Sequence, residues 1–198
     1  MSARRTARAD RATGRRRPWR GLITAMPPMA LAAVLAFTCD RWVATTTLPP
    51  LEVETSVEVL ARDGRLLRAF TVADGRWRLG VAPERVDPDY LDLLLAFEDK
   101  RFYRHAGVDP LALARAALQS LLHGRVASGG STLTMQVARL LEEGSTGSVS
   151  GKVRQIRVAL ALERVLGKQE ILALYLHLAP MGGNLEGVRA GSLSWFGK

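Results

Sequence analysis

Residues 97–107 read Phe-Glu-Asp-Lys-Arg-Phe-Tyr-Arg-His-Ala-Gly and hold the densest set of proton-handling groups in the chain. A carboxylate such as Glu98, once desolvated, has the chemistry of a general base. Burial raises its pKa towards neutrality, where it best takes a proton from a hydroxyl. Leu94, Leu95, Phe97 and Phe102 are the apolar neighbours able to do this. Asp99 is adjacent, but neighbouring side chains diverge on a helix, so spacing alone does not make the two a catalytic pair. Read locally, the stretch is equally an exposed helix end with a solvated charge run, capped by Gly107.

Four further segments carry polar groups in patterns that suit an anionic or sugar-bearing substrate. Gly129-Gly130-Ser131-Thr132-Leu133-Thr134-Met135-Gln136 places hydroxyls and free backbone N–H groups at a helix start, where a phosphate or sugar can be held. Lys152-Val153-Arg154-Gln155 opens another helix, and the three-residue spacing puts Lys152 and Gln155 on one face. Lys168-Gln169-Glu170-Ile171-Leu172 with Tyr175-Leu176, and Gly182-Gly183-Asn184-Leu185-Glu186-Gly187-Val188 ending in Trp195-Phe196-Gly197-Lys198, complete the set. Each alone is also an ordinary helix start, a solvated face or a turn.

The elements that must position these groups change character along the chain. Over 56–82, Val57, Val59 and Ala61 alternate with Ser56, Glu58 and Leu60, and Asp63-Gly64 and Asp74-Gly75 are turn dipeptides. The pattern predicts a two- or three-stranded meander. From Pro88 the apolar spacing becomes helical. Asp87 or Asp89 caps a helix through Leu91, Leu94, Leu95 and Phe97. Asp109, with Pro110 in the first turn, opens a second with Leu111, Ala114, Leu118 and Leu122 on one face. Ser131 and Thr132 cap a third, with Leu133, Val137, Leu140 and Leu141. Residues 142–151 read as a mobile Gly/Ser-rich connection. Helices follow at about 152–166 and 168–178, then a turn at 182–184 and a short helix near 185–194.

The 198 residues carry 28 Lys+Arg and 19 Asp+Glu, a net charge of +9. Eight arginines and one aspartate lie in residues 1–20, which leaves 20 basic and 18 acidic residues, a net of +2, for the rest. The basicity is therefore a tail, and a nucleic-acid-binding body is excluded as the main reading. One cysteine excludes an intramolecular disulfide framework and any multi-cysteine zinc site. Residues 21–39 contain no charge and span about 28 Å as a helix, against a hydrocarbon core of about 30 Å. Arginines before it predict a signal-anchor with the N-terminus in the cytoplasm and the remainder outside. A cleaved signal peptide is the alternative. The organisation expected is a cytoplasmic tail at 1–20, an anchor at 21–39, a linker at 40–55 and a domain at 56–198.

Taken in order and spacing, the five segments resemble glycosyltransferase family 51, the peptidoglycan polymerases, over roughly residues 55–198. Glu98, Asp99, Phe102, His105 and Gly107 match the motif Glu-Asp-x-x-Phe-x-x-His-x-Gly. Gly129, Ser131, Thr132, Thr134 and Gln136 match Gly-x-Ser-Thr-x-Thr-x-Gln. The chain departs from the family where Arg-Lys-x-x-Glu is usual. Gly151, Lys152 and Gln155 stand there, so an amide replaces a second carboxylate. Tyr175-Leu176-His177 stands for the usual Tyr-Leu-Asn, and Gly191-Ser192 for the usual small-residue pair before the final motif.

The resemblance implies a mainly α, lysozyme-like domain with a small N-terminal β meander, behind one transmembrane helix at the inner membrane. It implies polymerisation of lipid II onto a nascent glycan strand with release of undecaprenyl pyrophosphate. Glu98 and Gln155 fall to the catalytic set, Glu98 as base and Gln155 as a hydrogen-bonding partner at the pyrophosphate or sugar. Asp99, Phe102, His105, Ser131, Thr132, Gln136, Lys152 and Arg154 fall to the substrate-binding set. Within it, Asp99 is expected to orient the loop or a neighbouring base and His105 to stabilise the motif by hydrogen bonding. Lys152 and Arg154 are expected at the leaving group. No organic cofactor is implied; a divalent ion, Mg or Mn, is compatible but not indicated. The expected partners are lipid II, the glycan strand, the membrane and a cell-wall synthesis complex, with no nucleic acid. Leu118, Leu121 and Leu122 are expected in the core, with membrane contact as the alternative. The domain is short for the family, so a C-terminal part is expected to be missing. No Ser-x-x-Lys with Lys-Thr-Gly is present, so cross-linking is not predicted. The rival readings are a lysozyme-like hydrolase and an inactive membrane-anchored binding protein.

Overall fold

The computed structural model describes residues 27–123, 129–142 and 148–197. The chain divides into two units after Ala36. Of the first, the described part is Pro27 and the opening turns of helix α1 (Pro28–Ala44), with Met29, Leu31 and Leu35 among its exposed apolar residues. Among the described residues no helix is long and apolar enough to cross a membrane. The tail at 1–20 and residues 21–26 of the expected anchor lie outside the described residues, as do 143–147 of the Gly/Ser-rich connection.

The second unit is mainly helical: α2 (Pro88–Glu98), α3 (Pro110–His123), α4 (Leu133–Glu142), α5 (Val149–Val165), α6 (Lys168–Leu178) and α7 (Val188–Phe196). The starts follow local chemistry. Asp87 accepts the N–H of Asp89 at 2.9 Å before Pro88 opens α2. Asp109 accepts the N–H groups of Leu111 and Ala112 at the head of α3. Burial works to raise the Asp109 pKa, but the Arg101 guanidinium and these two N–H groups outweigh it and hold the carboxyl below its ordinary value. Of the two hydroxyls expected to cap α4, Thr132 does so, accepting from Met135 N–H at 3.1 Å. Ser148 caps α5 through Gly151 N–H.

The core sits where α4, α5 and α6 meet. Leu133, Met135, Val137, Ala138, Ala159, Leu162, Ile171 and Leu176 are fully buried, with Phe102 at 1% exposure. Each large apolar side chain so buried contributes about 1.5–3 kcal/mol from lost contact with water. Leu91, Leu94 and Leu95 pack α2 against this core.

The β elements differ from the expected meander. Strands β1 (Glu58–Leu60) and β2 (Leu66–Ala69) form a hairpin about Asp63-Gly64. Strand β3 (Trp77–Arg78) leaves it and pairs in parallel with β5 (Leu185–Glu186), which pairs antiparallel with β4 (Pro180–Gly182). Charge explains the choice. Arg78 is buried and donates to Glu186 at 2.7 Å, while Arg76 donates to the other oxygen of Glu186 at 2.5 Å. A buried arginine has to be paired; Asp74 lies 3.3 Å away on the preceding turn, and the closer carboxylate, Glu186, lies on β5.

The segment 40–55 is not a free linker. Val43 is 2% exposed, and Leu48 and Leu51 pack on the main core. Asp40 pairs with Arg164 of α5 at 2.8 Å. The α3 residues Leu118, Leu121 and Leu122 are 57%, 82% and 70% exposed rather than in the core. Their helix packs on its other side, through Ala112.

Candidate active site

Glu98 is the last residue of α2, where the chain turns away from the helix. The ten residues that follow are fixed from below. Asp99 is buried, both of its oxygens lie 3.0 Å from His105 Nε2, and Oδ2 also accepts Leu133 N–H at 2.9 Å. That bond ties the end of α2 to the start of α4. Thr132 donates to the carbonyl of Gly107 at 2.5 Å. Lys168 donates to the carbonyl of His105 at 2.7 Å and to Glu163 at 2.6 Å, and lies 4.5 Å from the centre of the Phe102 ring. Thr134 donates to the same Glu163 oxygen.

Gly107 does not cap a helix. Its φ is +88°, and a Cβ there would lie 2.6 Å from the carbonyl oxygen of Ala159. Glycine is needed so that the loop can lie against the α5 backbone.

Above this frame is an open cleft of about 430 Å³. It is lined by Phe97, Glu98, Gly129, Ser131, Met135, Gln136, Arg139, Lys152 and Gln155. Gln136 Nε2 donates to Glu98 Oε2 at 2.7 Å. Lys152 Nζ donates to Ser131 Oγ at 2.5 Å and lies 3.4 Å from Gln155 Oε1. Burial, then the neighbouring Arg139 guanidinium, push the Lys152 pKa below that of an ordinary lysine. Tyr175 is pushed up to about 12 by burial, then by the Glu98 charge and Tyr90, with Arg139 acting the other way. Glu98 thus faces donors and cations across the cleft, with two tyrosines near enough to feel its charge. A second cleft of about 560 Å³ shares Glu98 and Ser131 and adds Lys100, Arg104 and Arg115.

The expected residues therefore separate. Glu98, Ser131, Gln136, Lys152 and Gln155 meet in one cleft. Asp99, His105 and Thr132 spend their polar groups on the frame, and Phe102 lies in the core beneath it. Arg154 faces away from the cleft and pairs with Glu142 at 2.9 Å. The stripe Gln155, Val158, Ala159, Leu162 turns inward, which sets the phase of α5 and leaves Arg154 outside. The apolar shell expected around Glu98 is not closed, since Phe97 is 85% exposed and Glu98 is exposed as well. Arg139 is the residue that sequence reasoning missed. The signal was present: Arg139 follows Gln136 by three residues and shares its helix face. No group of three or more His, Cys, Asp or Glu residues able to hold a metal ion gathers among the described residues.

The cleft thus sets a carboxylate among a carboxamide, a hydroxyl and two cations. A family model for transglycosylases matches residues 63–198, and the chain belongs to that family. Among its relatives is penicillin-binding protein 1C of Escherichia coli K12, 52% identical over 151 residues that make up 76% of this chain and 20% of that protein. Penicillin-binding protein 1A of Vibrio cholerae is 35% identical over 152 residues, 77% of this chain and 18% of that protein. The matching protein from Pseudomonas aeruginosa is 36% identical over 148 residues, 75% and 18%. The chain spans about a fifth of the length of these relatives.

Proposed function

We propose that this chain is a peptidoglycan glycosyltransferase that polymerises lipid II at the outer face of the cytoplasmic membrane. The observation that carries the reading is a cleft lined by Glu98 together with Lys152 and Arg139. The 4-hydroxyl of the acceptor sugar attacks C1 of the lipid-linked strand, its proton passes to Glu98, and the bond from C1 to the pyrophosphate oxygen breaks with inversion. Gln136 holds one Glu98 oxygen and leaves the other to take the proton. Lys152 and Arg139 offset the charge that develops on the departing pyrophosphate. Ser131 and Gln155 hold Lys152 in place and offer hydrogen bonds to phosphate or sugar. The step needs no organic cofactor. Asp99 and His105 act by holding the loop, which supports the orienting role expected of them.

Residues 21–39 serve in this proposal as a single-pass anchor that keeps the enzyme at the bilayer where its substrate is held. The exposed leucines of α3 meet the membrane surface, and other cell-wall synthesis proteins are the expected neighbours. The test is polymerisation of lipid II by the purified chain and by Glu98→Gln. Loss of a positioned general base costs about 10²–10⁴-fold in rate. A folded Glu98→Gln that polymerises at the wild-type rate refutes the assignment. Shortened glycan in place of new strand identifies a hydrolase.

A further inference from the structure

We propose that Trp42 and Arg157 form a clasp that sets how the catalytic body meets the bilayer, so that turnover of bilayer-held substrate depends on it while turnover of a soluble analogue does not. The proposal rests on the polymerase reading above.

Arg157 stands on α5 two residues after Gln155 and five after Lys152, so the helix that carries Lys152 of the cleft also carries this arginine. Its Nε donates to the carbonyl of Trp42 and to Thr46 Oγ1, both at 2.9 Å, and its Nη2 donates to Thr45 Oγ1 at 3.1 Å. The guanidinium carbon also lies 5.3 Å from the centre of the Trp42 ring. These acceptors belong to the last turn of α1 and the residues just after it, where the Thr45 and Thr46 hydroxyls also donate to the Trp42 carbonyl and a cation is favoured. Arg164, two turns further along α5, holds Asp40 at 2.8 Å. That pair is exposed on both sides and contributes little alone. As a second point of attachment it stops the 40–46 segment from swivelling about the first. Val43, 2% exposed, fills the space between them.

A plain fold staple accounts for Val43 and not for the surface beside it. Trp42 is 36% exposed and Phe37 is 66% exposed, next to the polar groups that Arg157 grips. A half-exposed indole set against an arginine, beside Arg41, is a pairing that suits a membrane–water boundary. The gripped segment directly follows the uncharged stretch 21–39. The clasp therefore joins the boundary of that stretch to the helix bearing Lys152 and Gln155.

The test uses the full chain reconstituted in phosphatidylglycerol-containing vesicles, with two substrates. One is lipid II in the same bilayer; the other is a short-chain, water-soluble lipid II analogue. Arg157→Gln removes the three hydrogen bonds and leaves the segment to swivel about the Asp40–Arg164 pair, and Trp42→Leu removes the ring that sits on the guanidinium at the boundary. We expect Arg157→Gln and Trp42→Leu each to lose about tenfold on bilayer lipid II and to stay within about twofold of wild type on the analogue. The double variant should be no worse than either single one. Equal loss on both substrates makes the contact a fold staple and overturns the proposal, as does an unchanged rate on bilayer lipid II. Should Arg157→Gln fail to fold, Trp42→Leu decides alone, since it keeps the backbone carbonyl that Arg157 binds. Wild-type chain inert on both substrates sinks the polymerase reading and this one with it.

Discussion

Asp99→Asn is the sharpest probe of the frame beneath the cleft. Oδ2 of Asp99 serves Leu133 N–H at 2.9 Å and His105 Nε2 at 3.0 Å, and Oδ1 lies 3.0 Å from the same nitrogen. An asparagine can put its oxygen in the Oδ2 place and keep both contacts. Its NH₂ then takes the Oδ1 place and points a donor at a donor. The conflict is relieved by moving the imidazole proton to Nδ1, which is buried and has no partner. Either outcome leaves a buried donor unsatisfied, at about 1–3 kcal/mol, and replacing charge-assisted bonds with neutral ones costs about 1 kcal/mol more. The expected loss is about 2–4 kcal/mol by urea unfolding, a large part of a typical total of 5–15 kcal/mol. Polymerisation by the folded fraction should fall as well, because Asp99 adjoins Glu98 and holds the first residue of the Gln136 helix. In a His105→Ala background the donor conflict is gone, so the same change should cost about 1–2 kcal/mol less. Additive losses, or an Asp99→Asn change within about 0.5 kcal/mol of wild type, refute this account.

Gly107→Ala should destabilise by more than the roughly 1–2 kcal/mol of a left-handed alanine, because the new methyl also meets the Ala159 carbonyl; a thermal melt at the wild-type temperature contradicts it. Lys152→Arg should extend the alkaline limb of the rate profile. Burial and Arg139 make the lysine lose its proton at a lower pH than usual, and the rate falls with it, whereas arginine stays charged. Superimposable profiles mean that Lys152 is not the limiting cation. Gln155→Ala should slow polymerisation by about tenfold through loss of one hydrogen bond at the leaving group and of the Lys152 contact; unchanged kcat and KM remove Gln155 from the mechanism.

What was legible in the sequence is what local chemistry controls. Asp87 before Pro88, Asp109 before Pro110 and the run 168–178 mark helix starts by their own side chains, and the helices begin there. The cleft was legible as a set of motifs, because Glu98, Ser131, Gln136, Lys152 and Gln155 each sit at an end or on a known face of a helix. Less visible was which motif residues work from beneath. Asp99 and Thr132 look as available in sequence as Glu98 and Ser131, and only packing separates them. Strand β3 carried no local signal for its partner, since a two-residue parallel pairing across 108 positions is chosen by the Arg78–Glu186 ion pair. Residues 40–55 read as a linker for their Thr and Pro content, while Val43, Leu48 and Leu51 bind them to the core.

The pairing of β3 with β5 also has a bearing on the order of assembly. Trp77 meets Leu185 only after every helix that builds the cleft, α2 to α6, has been made. For a chain emerging from its N-terminus, Arg78 meets Glu186 only after the residues between them have been made. Closing so large a loop carries an entropic cost that the ends recover only when the helices between them are docked. A chain halted before residue 185 holds the residues of the cleft, with Arg78 left to Asp74 and the Glu54 carbonyl and without the Glu186 carboxylate that closes the small sheet.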